Sequence, residues 1–318
     1  MTGRITAFLI VLLVSAGCGN RKAEQPAALP FPAITLPAMM DDRDESVRYL
    51  AEHWWDNFTA TDRTYPSDTS LVDGVAFQEV EQKFADWVSV VGMVDMSHAR
   101  KSVNRLYERS LACEKKDSSS NVFETMIKLM DKYLYDPNSP VRNEDVYGFL
   151  VERLASCDRV VPDIRKRYER EARLCALNRV GTKAADFRFT DRRGKTYSLY
   201  GIDAPMILLF FSNPGCNACM DIINGLKGSP VISSMISAGT LAVLNIYIDE
   251  DIAAWRDYMP VYPEEWYNGF DPDYVIRTDM LYNVRAIPSL YLLDEDKTVI
   301  MKDAPESRVF SFIEGQAF

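Results

Sequence analysis

Basic residues, histidine and cysteine are all in short supply here, and each shortage removes a class of function. Thirty-six Lys and Arg stand against 46 Asp and Glu, for a formal net charge of −10. Phosphate recognition depends on clustered Lys and Arg, so a nucleic-acid partner is excluded. Six cysteines in 318 residues are too few for a disulfide-built scaffold and have to be read singly, by position. Long apolar runs are missing as well: beyond the N-terminal segment, no stretch is long enough to span a bilayer. No repeat of fixed period is evident, which argues against a solenoid. What remains is an ordinary globular composition, 47% hydrophobic and 26% charged, in a chain long enough for two folded units.

The N-terminus reads as a sorting signal. Arg4 supplies a basic start, Ile5 to Val14 an apolar run too short to span a bilayer comfortably, and Ser15-Ala16-Gly17 a set of small residues before Cys18. This pattern resembles a bacterial lipobox, which implies that residues 1–17 are removed and that Cys18 is acylated, making the membrane a partner through a lipid anchor. An ordinary secretory signal with a nearby cleavage site is the alternative. Either route exports the protein to the cell envelope, facing the periplasm or the exterior, where disulfide chemistry is available. Residues 18–41, with Pro26, Pro30, Pro32 and Pro37 among small residues, read as an extended tether.

Residues 42–178 form the first expected domain, all-α. Val146, Leu150, Leu154 and Cys157 recur at helical spacing, as do Val161, Ile164, Tyr168, Ala172 and Cys175, and Val103, Leu106, Ser110 and Cys113. Turn signals at Asp136-Pro137-Asn138 and around Pro162 separate the segments. No catalytic motif stands out in this part. After Val180-Gly181 the pattern changes. In residues 179–318, Phe187 to Thr190 and Thr196 to Ser198 flank the turn Asp191-Arg192-Arg193-Gly194, and Met206 to Phe211 is a continuous apolar run suited to a buried strand. Asn217 to Lys227 reads as a helix closed by Gly228 and Pro230. Leu241 to Ile248, Ser289 to Leu293 and Thr298 to Met301 read as strands, and Glu306 to Ile313 as a closing helix. Alternation of this kind implies helices packed on a mixed sheet.

The most informative segment runs from Phe210 to Cys219. It sets Cys216 and Cys219, two residues apart, where a buried strand hands over to a helix. There the first cysteine meets unpaired backbone N–H groups and the positive end of the helix dipole, which favour thiolate over thiol. Cys216 is therefore the nucleophile, and Cys219, leading into Ile222, Ile223 and Leu226, resolves the mixed disulfide. The middle residues Asn217-Ala218 add no His or Lys to lower the thiol pKa further. A zinc site is the competing reading of such a pair, but it needs two more ligands. The only histidines, His53 and His98, lie in the helical region, so neither a metal nor another cofactor is expected.

A second signal is Arg285-Ala286-Ile287-Pro288-Ser289-Leu290, a proline just before an apolar strand. Together with the cysteine pair it resembles the thioredoxin superfamily, in particular the membrane-anchored TlpA/ResA-type thiol–disulfide oxidoreductases, over about residues 180–318. The resemblance implies a thioredoxin-like domain, a cis Ile287-Pro288 bond facing the disulfide, and pairing of the neighbouring backbone with a protein or small-molecule thiol or disulfide substrate. By family analogy it implies net reduction, with electrons from an upstream redox partner. Three features depart from the pattern. Gly215 stands where a Trp usually precedes the first cysteine, and the acids expected near the second cysteine fall at Phe210 and Ile222, with Asp221 adjacent. Asn213 stands where peroxiredoxins place a Thr, which sets that family aside.

The remaining features read as structural. Cys113, Cys157 and Cys175 lie on apolar stripes as buried thiols, two of which have the option of pairing after export. His53-Trp54-Trp55 reads as core packing, and Tyr262 to Phe270 as cover for the core in preference to a substrate lip. The helical region resembles uncharacterised helical domains that precede thioredoxin-like domains in envelope lipoproteins. A second function follows from that arrangement: a lipid-anchored module that binds a partner, with the thioredoxin-like part as scaffold.

Overall fold

The computed structural model describes residues 27–60 and 70–316. Cys18, the expected signal and the first part of the expected tether lie outside them. From Leu29 onward the proline-rich stretch is not free. Leu29 donates its N–H to Gly74 O at 2.8 Å, Phe31 donates its N–H to Glu79 Oε1 at 3.0 Å, and the Phe31 ring stacks on Phe58. Its apolar side chains give the extended backbone somewhere to bind, which the spacing of prolines does not reveal.

The N-terminal half is helical: α1 (Arg43–His53), α2 (Asp56–Thr59), a small hairpin of β1 (Leu71–Val72) and β2 (Val75–Ala76), then α3 (Phe77–Val91), α4 (Met96–Lys116), α5 (Val122–Met130), α6 (Glu144–Ala155) and α7 (Pro162–Cys175). Short polar side chains start these helices, as their lone pairs satisfy the free N–H groups of a first turn. Asp42 caps α1, Asp95 caps α4 and Asn143 caps α6, while Pro162 opens α7. The core is built on Val80, Phe84 and Trp87 of α3, and the Trp87 indole donates to Ala51 O at 2.8 Å. Val146, Leu150, Leu154 and Cys157 are all buried. The α7 stripe is shorter than its spacing predicts: Val161 and Ile164 are exposed, and only from Tyr168 onward does the helix pack. Gly148 of α6 is the reason the end of α7 comes so close, since a Cβ there would stand 3.2 Å from Cys175 Cβ. Cys113, Cys157 and Cys175 are free thiols, Cys113 only half-buried. Burial pushes the Cys113 and Cys175 thiols above their ordinary range, so both are poor nucleophiles.

The C-terminal half is a seven-stranded mixed sheet in the order β4-β3-β7-β6-β5-β8-β9. Its strands are β3 (Arg188–Asp191), β4 (Thr196–Ser198), β5 (Met206–Phe211), β6 (Leu241–Tyr247), β7 (Tyr267–Phe270), β8 (Ser289–Asp294) and β9 (Val299–Met301). Between them run α8 (Asn217–Gly228), α9 (Pro230–Ser237), α10 (Ile252–Tyr258) and α11 (Val275–Thr278), with α12 (Glu306–Gly315) closing the chain. Central β5 is apolar throughout because both of its faces are covered. Leu208 and Phe210 pack with α8 and α12, while Ile207, Leu209 and Phe211 pack with Phe187, Ile202 and Tyr282 on the other side. Tyr262 and Trp266 are core residues, and the segment after them is not a lip but strand β7. The helical region followed by a thioredoxin-like mixed sheet is the fold class the sequence predicts.

The two halves meet over charged side chains that neither buries alone. Glu144 on α6 accepts from Asn283 Nδ2 at 2.8 Å and lies 3.3 Å from Lys302 Nζ. Asp145 accepts from Val180 N and faces the same lysine at 3.7 Å. Lys302 also donates to the carbonyls of Cys175 and Leu177, at 2.8 and 2.6 Å, where α7 ends. Removing one member of a buried pair leaves the other uncompensated and costs about 3–5 kcal/mol. Lys302→Ala is therefore expected to lower the unfolding free energy of the whole chain by about 3–5 kcal/mol. The measurement is the urea-denaturation midpoint, with Lys166→Ala, which breaks only an exposed ion pair to Asp163, leaving that midpoint unmoved.

Candidate functional site

The site lies where β5 ends. The chain leaves the sheet at Phe211 and turns through Asn213-Pro214-Gly215-Cys216, with Cys216 N donating to Asn213 O at 3.4 Å. Proline second in the turn and a glycine third, here at φ +71°, is the pattern of a type II turn. This explains why no Trp precedes the cysteine: a bulky residue with a Cβ is strained at that φ. The Asn213 amide donates to Asp249 Oδ2 at 2.6 Å, and Asp249 is ion-paired with Arg277, so the turn is fastened to the loop after β6.

Cys216 is the N-cap of α8, its sulfur accepting from Cys219 N at 3.1 Å. The pair forms a disulfide with a Cα–Cα distance of 5.2 Å. Cys216 is half-exposed, and Cys219 is buried at 2% exposure beside Ile222 and Ile223. The asymmetry divides the roles: one sulfur meets solvent and the helix N-terminus, the other only core.

Ile287-Pro288 is a cis peptide. The antiparallel register Phe211↔Ser289 sets Pro288 beside the point where β5 gives way to the cysteine turn, one strand spacing away. Ile287 and Cys216 both pack on the cluster that contains Cys219. Among the described residues, the backbone N–H and C=O of Ala286 and Ile287 enter no hydrogen bond, so they remain able to pair with an extended chain. The structure thus brings together Cys216, Cys219, Ile287 and Pro288. Cys18 is outside the described residues.

Phe210 and Ile222 are buried and apolar where the resemblance would put acids, and Asp221 is exposed. The polar groups on this face of the sheet are neutral. Ser212 Oγ donates to Asn245 Oδ1 at 2.5 Å and lies 3.3 Å from Tyr262 Oη, and Asn245 Nδ2 donates to Asn268 Oδ1 at 3.1 Å. Burial pushes the Tyr262 hydroxyl above its ordinary pKa, so it stays protonated. The residues gave no sign of this network because its members come from three separate segments, at Ser212, at Asn245 and within Tyr262 to Phe270. The type II turn, in contrast, was available in the residues Asn-Pro-Gly. Among the described residues, no group of three or more His, Cys, Asp or Glu side chains is placed to hold a metal ion.

A family profile described as a domain of unknown function, DUF5106, matches residues 14–178, just over half of the chain. Among solved structures, a thioredoxin-like protein from Bacteroides caccae is 35% identical, with 89% of this chain and 97% of that one covered and a TM-score of 0.76. The C-terminal domain of an uncharacterized protein from Bacteroides fragilis is 46% identical over 43% of this chain and 97% of its own, with a TM-score of 0.42. The thioredoxin domain of a thiol–disulfide oxidoreductase from Bacteroides vulgatus is 17% identical over 44% and 99%, with a TM-score of 0.37. No curated protein matches the chain significantly.

Gly215→Ala is expected to destabilise the oxidised protein by about 1–2 kcal/mol, the cost of an L-residue at positive φ. Nothing lies within 4 Å of the added Cβ, so the loss reports backbone conformation and not a clash. Comparing denaturant midpoints of Gly215→Ala and wild type measures it.

Proposed function

The chain belongs to the DUF5106 family and to the thioredoxin-like proteins, and from that premise we propose that it is a thiol–disulfide oxidoreductase of the cell envelope. The observation that carries this reading is the pairing of a half-exposed, N-capping Cys216 with a buried Cys219, next to backbone at Ala286 and Ile287 that has no partner among the described residues.

In the reducing direction the cycle starts from the dithiol. The Cys216 thiolate attacks one sulfur of a substrate disulfide, forming a mixed disulfide and expelling the other sulfur as a thiolate, which takes up a proton. Cys219 then loses its proton and attacks Cys216 Sγ. The second substrate thiolate leaves and is protonated, and the protein is left as the Cys216–Cys219 disulfide. Two electrons have passed to the substrate, and an upstream dithiol must return them. While the mixed disulfide lasts, Ala286 and Ile287 hold the client by strand-like pairing, the ordinary way for an open backbone edge to bind an extended peptide.

The TlpA/ResA-type resemblance favours reduction, and the lipobox-like Ser15-Ala16-Gly17-Cys18 favours a lipid anchor facing the periplasm or the exterior. Both belong to this proposal. With dithiothreitol as donor, the protein is expected to accelerate insulin reduction. Cys216→Ser should bring the rate down to the uncatalysed one, whereas Cys219→Ser, reduced beforehand and freed of dithiothreitol, should accumulate a covalent insulin adduct visible on non-reducing gels. Retained turnover in Cys216→Ser would sink the reading.

A further inference from the structure

The segment that presents Ala286 and Ile287 is not held by the thioredoxin-like half alone. Arg285, 9% exposed, donates from Nη2 to Asp303 Oδ2 at 2.5 Å, and the other oxygen of Asp303 accepts from Ser289 Oγ at 2.7 Å. One carboxylate therefore ties down the residue three before Pro288 and the residue just after it. The other contacts of Arg285 and Asp303 come from the helical half. Glu144 Oε2 lies 3.9 Å from Arg285 Nε, and the Tyr135 ring lies 4.4 Å beneath the guanidinium. Arg142 donates to the carbonyls of Asp303 and Ala304 at 2.9 and 3.1 Å. The Glu144 side chain is wholly buried and Lys302 is 1% exposed, so these charges cannot fall back on water if a partner is lost.

A cleft of about 670 Å³ runs along this junction, lined by Tyr135, Arg170 and Leu174 on one side and by Asn283 and Arg285 on the other. It leaves an approach to the loop past the helical half.

We propose that Glu144 and Arg142 are positioning residues for disulfide exchange, and that the helical domain fixes the Arg285–Ser289 loop in the shape that docks a client strand. The inference rests on the oxidoreductase reading. Backbone pairing needs the docking edge held to within about half an ångström, and the restraint on that edge is shared between the domains. The helical domain then sets affinity for extended protein disulfides and leaves the sulfur chemistry of Cys216 and Cys219 to the other domain.

The test uses the full chain carrying Glu144→Gln, which removes the charge and keeps the shape. Insulin reduction gives KM and kcat, and reaction of the reduced protein with 5,5′-dithiobis(2-nitrobenzoate), a small disulfide without a backbone, gives the rate of the chemistry alone. The expected result is a KM for insulin about tenfold higher, with kcat and the small-disulfide rate within about twofold of wild type. Glu144→Asp, which keeps the charge, should recover at least half of the lost affinity. An unchanged KM, or a common fall in all three parameters, overturns the proposal. Should Glu144→Gln fail to fold by circular dichroism, Arg142→Gln, at a less buried position, carries the same expectations. Absence of Cys216-dependent turnover in wild type would instead remove the oxidoreductase reading and this proposal with it, a result visible before any Glu144 variant is made.

Discussion

Six charged side chains at one junction, four of them buried and the two arginines partly so, constrain this molecule more than any other feature. Arg142, Glu144 and Asp145 come from the helical half, and Arg285, Lys302 and Asp303 from the thioredoxin-like half. Three are cations and three are anions, but neither half is neutral within the junction: the helical side brings one surplus negative charge and the other side one surplus positive. Burial pushes the Glu144 and Asp145 carboxyls above their ordinary range, while Lys302 opposite pulls them back. Charges in such a place are tolerated only with their partners present, so separating the halves would expose or strand all six. The two domains consequently behave as one framework, and the loop next to the redox pair hangs from that framework at Arg285.

The cysteine turn meets a different constraint. A strand covered on both faces must leave the sheet and start a helix within a few residues, with one sulfur at the helix end and the other in the core. Pro214 and Gly215 accomplish the reversal by backbone preference alone, and Asn213 fastens it through Asp249. In the chains this domain resembles, a Trp stands next to the first cysteine. Here a glycine at positive φ makes a tight turn in place of a large apolar neighbour, and Cys216 is half-exposed.

How much of this was legible in the sequence depends on whether the cause was local. Met206–Phe211 and Thr196–Ser198 form strands at the boundaries read from the residues, because an unbroken apolar run and a Gly-closed hairpin turn are local signals. Strand β7 was missed since Asn268 and Gly269 are poor strand formers. It exists because β6 and β3 pair with it on either side, and Gly269 is needed there because the Phe189 ring stands 2.6 Å from where a Cβ would be. Pro230, read as a helix stop, is also the first residue of α9, with Ser229 as its cap. The cysteines and Pro288 stood out as a motif. The junction did not, since residues 142–145, 285 and 302–303 are joined only by the fold.

The neutral network, whose Tyr262 shares a core cluster with Cys219, bears on how the exchange must run. Cys219 has to lose a proton before it can attack Cys216 Sγ, and a buried carboxylate is the usual kind of group to receive it. Here Phe210 and Ile222 occupy the positions where such an acid would be expected, and Ser212, Asn245 and a protonated Tyr262 supply dipoles but no base near neutral pH. The proton must then leave through solvent on the Cys216 side or pass to the departing substrate thiolate itself. The second route needs the substrate sulfur held close to Cys219 after the first attack. The mixed disulfide itself meets that requirement, since it ties the substrate sulfur to Cys216, whose Cα lies 5.2 Å from that of Cys219.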